Sequence, residues 1–209
     1  MVLAGLATGV AAQSLPWREA PIIEPHQVIP RAPPPPPAPT VESITQTFLD
    51  ACVRNEGQAT AVIDWALMHG FEPLDPLRAD AGELLGGAAG TALAAPGGGG
   101  RVMLAAMQDG RCVLWAERTP GPPLRNAFQA MVGSLSAKGA KVQIIASRNL
   151  SAGETWRHQA QWRYRRVGGS QDFGLGSATT LADAPGSQLL HFAPMDLPSA
   201  PDPDGVARR

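Results

Sequence analysis

Trp156-Arg-His-Gln-Ala-Gln-Trp-Arg-Tyr-Arg-Arg166 alternates between two kinds of side chain along its whole length. Successive residues of a strand point to opposite sides of a sheet. Trp156, His158, Ala160, Trp162 and Tyr164 therefore share one face, and Arg157, Gln159, Gln161, Arg163 and Arg165 share the other. The first set is expected to meet a core. Sheets with one packed face and one wet face are typically antiparallel. This stretch thus predicts an antiparallel sheet with helices against its apolar side.

Working outward, the same strand-and-turn grammar continues on both sides. Residues 155–167 end at the Gly168-Gly169 turn, and 173–181 and 188–192 read as further strands. On the other side lies 142–147, preceded by the clearest helix of the chain. Pro122 and Pro123 suit a first helical turn, and Leu124, Ala127, Phe128, Met131, Val132 and Leu135 recur at helical spacing. Lys138 suits the negative end of the helix dipole, and Gly139 suits the left-handed position after it.

Further upstream, 102–107 is apolar on both faces, as a central strand requires. Asp109-Gly110 marks a turn into a partner strand over 112–116. A weaker strand is expected over 91–95, followed by a turn at Pro96-Gly-Gly-Gly-Gly100, and one or two helical turns over 77–85. Thr40 is a good N-cap with Glu42 in the first turn. Ile44, Phe48, Leu49 and Cys52 make one helical stripe, and Ala59, Val62, Ile63, Ala66 and Leu67 a second, stopped by Gly70, Pro73 and Pro76. A helical hairpin, strands, one more helix and four strands predict an α+β domain with a largely antiparallel sheet and its helices on one face, covering 40–195. About 170 residues remain after 1–39, enough for a sizeable core.

The ends have different compositions. Residues 1–12 carry no charge and finish in small residues, the pattern of a signal-peptide-like leader, although the usual positive n-region is missing. Residues 13–39 are Pro-rich, culminating in Arg31-Ala-Pro-Pro-Pro-Pro-Pro-Ala-Pro39. Proline fixes φ and lacks an N–H, so an extended polyproline linker is expected, or a docking motif for a proline-reading partner. Residues 196–209 are rich in Pro and Asp and are expected to be disordered. No stretch is apolar for the roughly 20 residues that span a bilayer.

An exported chain meets an oxidising compartment, where the only two cysteines, Cys52 and Cys112, are best read as one disulfide. A reactive thiol is the alternative, but there is no CxxC and both positions fall on predicted core faces. The net charge of −1 supplies no bulk attraction for nucleic acid. His26, His69, His158 and His191 show no ligand spacing, so neither metal nor cofactor is expected. His158 and His191 could be neighbours across strands. The glycine run at 86–90 lacks the Lys-Ser/Thr of a phosphate loop, and no GxSxG elbow or paired carboxylates appear.

Phe48-x-x-x-Cys52, Gly110-x-Cys-x-Leu114 and the Phe-bearing helix after them, behind a leader, resemble small exported bacterial proteins of uncharacterised function. The resemblance covers 44–192 and implies a periplasmic or secreted location; it assigns no catalytic residue. The expected function is a disulfide-stabilised binding or interaction module. Its candidate surface is Arg157, Gln159, Gln161, Arg163 and Arg165, and its partner an envelope protein or an anionic ligand. The alternative is an envelope hydrolase whose site assembles only in the fold.

Overall fold

The structure, a computed structural model, describes residues 39–96, 101–152 and 155–195. The expected leader over 1–12, residues 13–38 of the expected Pro-rich linker, the Gly97-Gly-Gly-Gly100 part of a predicted turn and the tail from residue 196 lie outside the described residues. Helices α1 (Val41–Phe48), α2 (Ala59–Met68), α3 (Ala79–Leu85) and α4 (Gly121–Ala137) combine with strands β1 (Glu72–Pro73), β2 (Gly90–Ala94), β3 (Val102–Met107), β4 (Cys112–Pro120), β5 (Lys141–Ala152), β6 (Thr155–Arg165), β7 (Asp172–Thr180) and β8 (Pro185–Met195). The fold is α+β. All eight strands join one sheet in the order β1-β2-β3-β4-β8-β7-β6-β5, and every neighbouring pair is antiparallel.

The order has a simple logic. Two four-strand meanders, β1–β4 and β5–β8, meet at their last strands, and α4 carries the chain from the centre out to the far edge. The sequence shows no internal repeat, yet the topology uses the same meander twice.

Local chemistry starts and stops the helices as expected. The Thr40 hydroxyl accepts from the backbone N–H of Ser43 at 3.2 Å. Pro122 and Pro123 occupy the first turn of α4, and Gly139 follows its C-cap at a φ of +93°. Helix α1 does not end at Phe48 but passes into a π-helical turn, Leu49–Val53. That turn buries Ala51, Cys52 and Val53 together and delivers Cys52 to Cys112 at the start of β4. The disulfide is formed, with the two Cα atoms 5.5 Å apart.

The main core lies between the sheet and α1, α2 and α4. Phe48, Leu124 and Phe128 pack there against Leu114, Leu175, Leu190 and Phe192. Each fully buried Leu or Phe contributes about 2 kcal/mol by removal from water. A second, smaller core lies on the opposite side. Ala81 and Leu84 of α3 cover Ala92, Met103, Ala105 and Met107. The helical hairpin and α4 therefore sit on one face, while the short α3, expected over 77–85, caps the other. This is why β3 is buried on both faces.

Three local expectations are corrected. Leu67 does not join the core stripe of α2: it is 47% exposed, because the buried side of that helix is Val62 and Ala66. Trp156 and His158 share the apolar face but not the core. Trp156 is 59% exposed, since the helix layer covers only the Ala160–Trp162–Tyr164 part of β6. Strands β5 and β8 are longer than their apolar runs, and β8 carries Pro185 at its first position and Pro194 near its end, where proline is tolerated.

Candidate functional site

Among the described residues no helix covers the second face over β5–β8, and the register places its residues in rows. Lys141, Gln143, Ala146 and Arg148 of β5 stand beside Arg165, Arg163, Gln161 and Gln159 of β6. Next come the small residues Gly174, Gly176 and Ala178 of β7, then Ala193, His191 and Leu189 of β8. The five residues singled out in the sequence thus lie on the predicted face. A β-bulge at Ile145, between Ile144 and Ala146, keeps Arg148 in line with them.

The absence of side chains on β7 shapes this surface. A Cβ added at Gly176 would lie 1.9 Å from Cε1 of His191, so the imidazole rests directly over the glycine. At Gly174 it would lie 3.3 Å from Nε2 of Gln161. Side chains from both neighbouring strands lean over β7, leaving a depression of about 240 Å³ walled by Arg148, Gln159, Gln161, Leu189 and His191. Burial pushes the His191 pKa down, which favours the neutral ring.

The five residues do not act alike. Arg157 is tied down: its Nη1 donates to the carbonyl of Ser187 at 3.1 Å. Gln159 accepts from Nη2 of Arg148 at 3.4 Å. Arg163 and Arg165 converge with Lys141 and Gln143 in a larger cavity of about 450 Å³ at the corner where β5 and β6 meet the β7 start. One acid stands among them. Asp172 is 3% exposed, accepts from Nε of Arg165 at 2.5 Å, and lies 3.9 Å from Nε of Arg163. The hydrogen bond from Arg165 holds its carboxyl below the ordinary carboxylate range, burial opposing.

The electrostatic result is one-sided. Among the described residues, Lys141, Arg148, Arg157, Arg163 and Arg165 are five cations on this half of the face; Asp172 is the carboxylate on its strands, and Glu83 of α3 lines its edge beside Arg157. Sequence inspection found the arginine row of β6 but missed Lys141, Gln143 and Arg148. The same two-residue period marks them, but the bulge at Ile145 interrupts it. Asp172 was also missed, because a lone Asp after a glycine turn reads as a turn residue.

The histidines do not come together. His158 lies on the helix side of β6 and His191 on the opposite face of β8, with β7 between them. His158 Nε2 is 3.2 Å from the Ser147 hydroxyl, but its Nδ1 is buried without a hydrogen-bond partner. Among the described residues no carboxylate orients that ring, so the pair lacks the third group that fixes a histidine base. Burial, then the charge of Arg125, lowers the His158 pKa. Among the described residues no cluster of three or more His, Cys, Asp or Glu is placed to hold a metal ion, and no helix is long and apolar enough to cross a membrane.

Comparison with protein families, curated proteins and solved structures finds no match to this chain.

Proposed function

We propose that this chain is an exported binding module that takes an anionic partner on the uncovered β5–β8 face. The observation that carries the reading is the excess, among the described residues of one sheet face, of five cations over Asp172 and the edge carboxylate of Glu83, in a chain whose net charge is −1. Like charges crowded on adjacent strands repel one another, and solvation alone does not call for clustering them. An anionic partner relieves that repulsion, and arginine forks and glutamine amides supply directional donors for it. The Cys52–Cys112 bridge and the apolar leader support a periplasmic or secreted setting.

Retention of the full chain on immobilised polyglutamate tests the face. The native protein is expected to bind at low salt and elute as salt screens the contact. The triple variant Arg148→Glu, Arg157→Glu, Arg163→Glu is expected to pass unretained. Equal retention of both proteins refutes the reading.

A further inference from the structure

We infer that the corner cavity bounded by Lys141, Gln143, Arg163 and Arg165 is a binding site for a phosphomonoester. This rests on the proposed anion-binding face and names its ligand. The charges that meet there are Lys141, Arg163, Arg165 and Asp172. Asp172 is committed to Arg165, which donates to it through Nε. Its other oxygen lies 3.9 Å from Arg163, too far for a hydrogen bond. Three cations and one carboxylate leave a local charge of +2, and the Arg163 and Lys141 donors are free of any close ion pair among the described residues.

A site of charge +2 discriminates among anions by their charge. Carboxylates, phosphodiesters and sulfate esters each bring one negative charge. A phosphomonoester brings about 1.5 to 2 at neutral pH, its second proton leaving near pH 6, together with three strong acceptor oxygens. Among organic anions with a single acidic group it alone neutralises the cluster. The donors match its shape: the arginine forks suit a tetrahedral oxyanion bidentately, Lys141 acts as a point charge, and the Gln143 amide adds a neutral donor. At about 450 Å³ the cavity also holds more than a phosphate, and Ala140 and Val142 give an apolar wall for the esterified group. Asp172 is the positioning residue: by holding Arg165 it fixes that guanidinium against the cavity wall and keeps the cluster from carrying a third net charge.

Phenyl phosphate and phenyl sulfate, which share an organic group and differ in charge, test the inference by calorimetric titration of the full chain at constant ionic strength. Phenyl phosphate is expected to bind about tenfold tighter at pH about 7.5, and the advantage is expected to shrink towards pH 5 as the phosphate takes up its second proton. Arg163→Gln and Lys141→Gln are each expected to weaken phenyl phosphate binding about fivefold or more, whereas Arg54→Gln, in an exposed ion pair with Asp50 next to the π-helical turn, leaves it unchanged. Vesicles bearing phosphatidic acid, set against soluble phenyl phosphate, tell whether the ester is a lipid headgroup or a free metabolite. Equal affinity for the two phenyl esters, or equal losses in Arg54→Gln and Arg163→Gln, overturns the site. If phenyl phosphate fails to bind while polyglutamate retention persists, only this inference falls; if both fail, the anion-binding face falls with it.

Discussion

Arg165 and Asp172 flank the Tyr164–Phe173 register pair, and Nε of Arg165 donates to Oδ1 of Asp172 at 2.5 Å. The carboxylate is 3% exposed and still ionised, because the hydrogen bond and the nearby charges of Arg165, Arg163 and Lys141 outweigh its burial. A second carboxylate, Asp80, is held low in the same way by Arg78 and Arg101, and it links α3 to the start of β3.

Both carboxylates have folded pKa values below their unfolded ones. Their contribution to stability is therefore complete above the unfolded value near pH 4 and is lost as pH falls through the depressed folded value. Urea unfolding across the acid range should show native stability declining below about pH 4. Asp172→Asn should start less stable at neutral pH and decline less steeply, and the Asp80→Asn, Asp172→Asn double variant should be flattest. Parallel acid limbs for all three proteins would contradict the assignment.

The bridge between the π-helical turn and β4 closes a loop with a sequence separation of 60 residues. In the chain-entropy account, a loop of that length contributes about 4 kcal/mol by restricting the unfolded chain. The Cys52→Ala, Cys112→Ala variant should lose about 3–4 kcal/mol in denaturant unfolding, with both sites remaining apolar and buried. A loss under about 1 kcal/mol would mean that the unfolded chain is already compact between these positions.

Several of these features were open to inspection in the sequence. The alternation of β6, the proline-opened α4 and the pairing of two apolar-face cysteines all rest on local period and composition, and local rules carried them. What was hidden is non-local. The pairing of β4 with β8 depends on α4 carrying the chain to the far edge. Burial of Trp156 and His158 was over-read because alternation reports which face a residue occupies, not how far along the strand the helices reach. The corner site needed β5, β6 and β7 in register, and no single segment contains it.

Gln188 illustrates a residue that sequence reading passes over. It is 1% exposed, and its side chain is fully engaged. Its Oε1 accepts from the Thr180 backbone N–H at 2.8 Å, and its Nε2 donates to the Thr119 carbonyl at 2.7 Å and to the Thr180 hydroxyl at 3.0 Å. One amide thus satisfies the backbone of two other strands where the register of β4 and β8 shifts. Gln188→Leu keeps a similar volume but strands a buried N–H and a carbonyl, so it should cost about 2–4 kcal/mol. Gln188→Glu, which keeps the acceptor, should still lose the Thr119 bond. Near-native unfolding midpoints in both would show that water substitutes for the amide.

Two glycines with the same nominal clash separate a flexible obstacle from a rigid one. A Cβ at Gly57 would lie 1.9 Å from the carbonyl oxygen of Gly110, and Gly57 has a φ of +68°. Backbone cannot step aside, and the left-handed conformation adds strain, so Gly57→Ala should cost about 3 kcal/mol. At Gly176 the obstacle is the His191 ring, also 1.9 Å away, on an ordinary strand backbone. That side chain stands on the uncovered face and can swing outward. Gly176→Ala should therefore cost only about 1 kcal/mol. It should also release His191 from the burial that lowers its pKa, so that its titration moves up towards the ordinary histidine value. Following the His191 ring protons by NMR across pH 5–8 measures this directly, and an unshifted titration in Gly176→Ala would show that contact with Gly176 does not set the burial.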